Sequence, residues 1–183
     1  MAIDLKLLDP AFAAQVTVLL QKCRSQGFEM RPYAGLRSPI DQAKLWRQSR
    51  PIEEIKARID AFDAAGAKFL ASCLRKAGPQ NGDHVTDAPP GYSWHQWGEA
   101  VDVFWVVDGK AQWSTRTSVK GRNGYRVFAD AAAAMGLTAG GLWPRFKDWP
   151  HVQLRPASGP ARSLTLLQID AAMRERFGAS RMR

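Results

Sequence analysis

The chain has 183 residues, 45% of them hydrophobic and 23% charged, with a formal net charge of +9. That length holds one compact domain with a real core and excludes two comfortable ones, while the composition excludes extended disorder. No segment reaches membrane-spanning length, which excludes stable membrane insertion, and the charge favours a polyanionic partner without choosing among nucleic acid, anionic lipid and acidic wall polymer.

Asp9-Pro10 reads as an N-cap followed by proline at the first helical position, and Phe12, Val16, Leu19, Leu20 and Cys23 keep helical spacing to Gln26. Residues 28–36 read as a strand. Ser38-Pro39 starts a second helix that runs to about Gln48. From Pro51 to Lys76 the apolar residues follow a three-four rhythm, which predicts one long packing helix, a helical insertion at about 51–77. Gln80 to Tyr92 reads as a polar surface loop. Residues 98–107 read as a buried strand, turned at Asp108-Gly109 into a short partner that reaches Trp113. A helix is expected over 125–135, short strands at 140–143 and 151–154, and a last helix over about 163–177 capped by Ser163. Few strands with peripheral helices predict an α+β fold of one domain, a small antiparallel sheet flanked by helices.

Two segments carry the chemistry: Ser93-Trp94-His95-Gln96-Trp97-Gly98-Glu99-Ala100-Val101-Asp102, and Asp148-Trp149-Pro150-His151. They offer two imidazoles and a carboxylate as metal ligands with a second carboxylate nearby. A catalytic zinc has three protein ligands and one open position, and needs a base for its water. His95 would precede the strand that carries Asp102 back across the site. Asp102 sits in an apolar strand, so it needs a cationic partner, either zinc or a core arginine. His151 alone would read as a core residue; with Asp148 three positions earlier it reads as a ligand beside a base. His84, the third histidine, lies in a polar loop and is expected at the surface. Cys23 and Cys73 fall on apolar helix positions, outside any CxxC motif. A Ser93-His95-Asp102 triad is disfavoured, because no nucleophile elbow surrounds Ser93.

With Gly35-Leu36-Arg37-Ser38-Pro39-Ile40-Asp41-Gln42 upstream, these segments resemble the zinc peptidases of peptidoglycan stem peptides. That family includes D-alanyl-D-alanine carboxypeptidases and dipeptidases and the L-alanyl-D-glutamate endopeptidases of phage endolysins. The resemblance spans roughly residues 28–155 and implies the D-Ala-D-Ala peptidase/hedgehog-like fold. It implies that His95, Asp102 and His151 bind Zn2+, that Asp148 is the general base, and that Arg37, Ser93 and Gln42 bind substrate. The Asp-x-Pro-His form of the last motif is similar to the endopeptidases, which makes cleavage between L-Ala and D-Glu the expected reaction.

The alternatives are a D-Ala-D-Ala carboxypeptidase and a zinc module that binds cell wall without cutting it. A nucleic-acid partner is not expected, since no groove-reading helix or stacking motif accompanies the charge. We expect a monomer, synthesised in the cytoplasm without a signal peptide, that acts on the wall after release through a membrane lesion or as a virion component. The arginine-rich end (Arg174, Arg176, Arg181, Arg183) would suit attraction to an anionic envelope.

Overall fold

The structure is a computed structural model that describes residues 3–178; Arg181 and Arg183 lie outside the described residues. In chain order the principal elements are α1 (Pro10–Ser25), β1 (Glu29–Ala34), α2 (Pro39–Arg47), α3 (Ile52–Ala64), α4 (Lys68–Ala77), β2 (Ala100–Val107), β3 (Lys110–Gln112), α5 (Gly124–Ala134), β4 (Thr138–Ala139), β5 (His151–Gln153) and α6 (Leu166–Phe177). This is the α+β class read from the sequence. Among the described residues, no helix is long and apolar enough to cross a membrane.

The chain divides into two compact units. One combines the N-terminal residues through Leu36 with Trp97–Pro156. Its antiparallel sheet has the order β1-β2-β5-β4, with β3 also paired to β2 across the Asp108-Gly109 turn. Helix α1 starts on the Asp9 carboxylate, which accepts from the Ala11 and Phe12 amides, and it buries Phe12, Val16, Leu19 and Cys23. Those side chains pack with Tyr125, Phe128 and Ala132 of α5, and with Val101, Val103 and Trp105 of β2 and Val152 of β5. Each large apolar side chain buried this way contributes about 1.5–3 kcal/mol. Successive strand residues point to opposite faces. Asp102 and Phe104, between the core residues of β2, therefore project from the face away from that core.

The second unit comprises Arg37–Gln96 and the segment from Ala157 onward. Leu70, Cys73 and Leu74 of α4 are buried with Phe62 of α3 and with Ile169 and Met173 of α6. Helix α4 has no cap of its own. The buried Asp170 of α6 supplies one from a distance in sequence, accepting the Leu70 amide at 2.9 Å.

Three details differ from the sequence reading. The expected long helix is broken into α3 and α4, because Gly66 adopts a left-handed conformation (φ 81°) and the Ala67 amide closes back on the Phe62 carbonyl at 2.8 Å, a helix stop that the continuous apolar rhythm hides. Residues Gly140–Leu142 form a 3-10 turn rather than a strand, and the pairing falls on the preceding Thr138–Ala139. Finally, α6 is capped by Thr165, not Ser163, in a reciprocal box with Gln168.

Candidate metal centre

Asp102 and His151 face one another because of the ladder. In the β2–β5 pairing they are directly opposed, so their side chains leave the same face of the sheet. The His151 Nδ1 lies 2.9 Å from Asp102 Oδ1. Burial disfavours the imidazolium form of His151, but the Asp102 hydrogen bond and the charges of Asp102 and Asp148 outweigh it and hold the pKa above the usual histidine range.

Asp148 enters on the tight turn Asp148-Trp149-Pro150 that leads into β5. Its amide donates to the Gly140 carbonyl and its carbonyl accepts the His151 amide, each at 3.1 Å. The floor of this turn is Gly140-Gly141. A Cβ on Gly140 would collide with the Asp148 carbonyl oxygen and sit 3.1 Å from the His151 Cβ; one on Gly141 would run into the Trp149 ring. Asp148 and His151 can approach the preceding turn only over glycine. The Trp143 ring closes one side of His151, with centroids 5.3 Å apart.

His95 is held by different means. It lies on the 3-10 turn Trp94–Trp97, whose start is tied by the Ser93 hydroxyl accepting the His95 amide at 3.4 Å. The His95 carbonyl accepts the Arg37 amide at 3.1 Å. Beneath the turn, the fully buried Gln96 accepts from the Gly91 and Ser93 amides and donates to Gln42 Oε1 at 3.0 Å. Gln42, also fully buried, accepts from Arg37 Nη1 at 2.9 Å and donates to the Ala88 carbonyl at 2.8 Å. Gln42, expected from the resemblance to bind substrate, is placed here with hydrogen bonds to Arg37, Gln96 and Ala88. Its hydrogen-bonding atoms are turned inward, and it acts by holding Arg37 and the histidine turn.

His95, Asp102 and His151 are the group of side chains, among the described residues, that could hold a metal ion. Two imidazoles and a carboxylate form the donor set of a three-ligand catalytic zinc, so the residues fit such an ion. His84 is exposed and pairs with Asp87 at 2.9 Å, as its polar loop predicts. Both cysteines are buried, and burial pushes the Cys23 thiol to about 11 and the Cys73 thiol to about 12, leaving them as inert core groups. Sequence reasoning missed Gln153, Gln96 and Gly140. Gln153, two residues after His151 on β5, meets the ring's Nε2 across 3.1 Å. The i, i+2 spacing in a strand was the available signal for it.

The sheet-borne His/Asp pair with an acidic turn beside it supplies residues of the kind that can hold a metal ion. Residues 5–140 match the VanY family, D-alanyl-D-alanine carboxypeptidase, and the chain belongs to that family. Over 80 residues it is 32% identical to the peptidoglycan L-alanyl-D-glutamate endopeptidase CwlK of Bacillus subtilis, a match that takes in 42% of this chain and 48% of that protein. Among solved structures, it is similar to the L-Ala D-Glu endopeptidase ChiX of Serratia marcescens, with 22% identity, coverage of 82% and 83% of the two chains, and a TM-score of 0.42. It is also similar to the vancomycin resistance D,D-pentapeptidase VanY of a VanB-type cassette, solved in complex with Zn(II), with 18% identity, 80% and 71% coverage and a TM-score of 0.43.

Proposed function

We propose that this protein is a zinc peptidase of the peptidoglycan stem peptide that cuts between L-Ala and D-Glu. The observation that carries the reading is Asp102 set directly opposite His151 in the β2–β5 ladder, with the Asp148 turn leading into His151, and His95 completing a donor set that could hold a metal ion. A purely structural zinc would be closed by a fourth ligand and would have no use for that carboxylate.

Held by His95, Asp102 and His151, a zinc ion would supply Lewis acidity to the site. Asp148 accepts the proton of the attacking water and returns it to the leaving amine. Arg37, fixed through its amide to His95 and its guanidinium to Gln42, presents a planar donor group suited to a substrate carboxylate. Ser93 holds the turn that presents His95 and is the second substrate contact in this reading.

The Asp-x-Pro-His motif and the CwlK similarity favour the L-Ala–D-Glu bond; the matched family description favours removal of a terminal D-Ala. Mass spectrometry of fragments released from purified peptidoglycan separates the two. Peptides that begin at D-Glu support the first bond, loss of D-Ala alone replaces it with the second, and no release by zinc-loaded protein leaves a wall-binding module. For delivery, we place the protein on the wall after release through a membrane lesion, or in a virion, with its net charge of +9 favouring an anionic envelope. Charge-neutralising changes at Arg174, Arg176, Arg181 and Arg183 that leave binding to intact walls unchanged would refute the contribution of the basic end.

A further inference from the structure

We propose that Gln153 is a positioning residue that selects which nitrogen of His151 faces the metal; this rests on His151 being a ligand, as proposed above. Gln153 is 2% exposed and leaves β5 on the same face as His151, two residues away. Its Nε2 donates to the Arg155 carbonyl at 2.5 Å, which fixes the amide so that Oε1, an acceptor only, is the atom 3.1 Å from His151 Nε2. The carbonyl that orients it is itself anchored, since the Arg155 guanidinium grips the buried Glu99 carboxylate through two bonds of 2.7 and 2.9 Å. Both ring nitrogens face an acceptor in the metal-free protein; with Asp102 turned to the metal as a ligand in the reading above, Gln153 is the acceptor left to keep the ring hydrogen, on Nε2. Nδ1, the nitrogen turned to Asp102 at 2.9 Å, is then the one that offers its lone pair to the metal. A ligating histidine commonly donates its other N–H to such a partner, whose loss costs about 10–100-fold in metal affinity.

The test is the zinc dissociation constant, measured by chelator competition, of wild type, Gln153→Leu and Gln153→Glu. Leucine removes both hydrogen bonds and is expected to weaken zinc binding about 10–100-fold. Glutamate keeps the acceptor for Nε2–H while losing the donor to Arg155, and is expected to bind near wild type. Leucine binding like wild type, or glutamate binding as weakly as leucine, overturns the proposal; the second result would leave only the structural bond to Arg155. Long-range proton–nitrogen NMR of the zinc-loaded wild type decides the tautomer without depending on either variant folding. A hydrogen on Nε2 with Nδ1 metal-bound is expected, and the reverse overturns the assignment. A wild type that binds no zinc at all would instead refute the metal reading on which this one rests.

Discussion

The ladder formed by β2 and β5 and the polar network around Gln42 solve the same problem with different physics. In the ladder, backbone pairing sets Asp102 directly against His151, so the side chains inherit their placement from the register of two strands. In the network, the 3-10 turn carrying His95 has little backbone regularity to rely on, and buried amides take its place: Gln96 beneath the turn, and Gln42 joining it to Arg37 and Ala88. A register is robust to most side-chain changes but shifts all at once if it slips. A buried amide network fails locally, each time a donor or acceptor loses its partner.

Substitutions at the ligands give the largest effects. His151→Ala and Asp102→Ala are expected to abolish stoichiometric zinc, read by elemental analysis, while the sheet stays folded. Retained zinc in either variant would break the ligand assignment. Asp148→Ala should keep its zinc and lose about 10²–10⁴-fold in turnover, the range for a positioned base; normal hydrolysis by that variant would remove Asp148 from the role. Next comes the network. Gln42→Leu leaves buried partners on Gln96 and the Ala88 carbonyl, at about 1–3 kcal/mol for each group left unsatisfied, so thermal melts should show it among the most costly polar substitutions.

Gly140→Ala should destabilise by about 1–3 kcal/mol, the usual range for overpacking, because the added methyl meets the Asp148 carbonyl oxygen. An unchanged melting temperature would mean that the turn yields without cost. The smallest effect is on pH dependence. Since the folded-state pKa of His151 is raised by Asp102 and Asp148 against its burial, the pair stabilises the metal-free protein fully below the unfolded histidine value. That stability disappears as pH rises through the folded value. A metal-free protein whose melting temperature instead climbs across that window would contradict the pairing.

The ladder was the legible half. The apolar alternation of Ala100 to Val107, with Asp102 out of phase with the core residues, is readable in the sequence alone, as are the Asp9 cap and the Asp108-Gly109 hairpin. The network was opaque, because nothing in a buried glutamine's neighbours distinguishes it from a surface one. Gln42 read as a substrate contact, and nothing around it in the sequence announced its bonds to Arg37, Gln96 and Ala88. Gly66 shows a related blind spot: the apolar rhythm continues straight through it, and only its left-handed backbone reveals that one helix has become two. Gln153 was missed for a simpler reason. The recognisable motif ends at His151, although strand geometry places the residue two positions later beside it.

If a metal held by His95, Asp102 and His151 drives peptide hydrolysis with Asp148 as base, zinc titration of chelator-stripped protein tests it most directly. Release of stem peptide from purified peptidoglycan should be absent at the start and rise to a plateau at one zinc per chain, while the Asp148→Ala protein takes up the same single equivalent without release. Hydrolysis at full rate by the metal-free protein, or a plateau unrelated to zinc uptake, would contradict that mechanism.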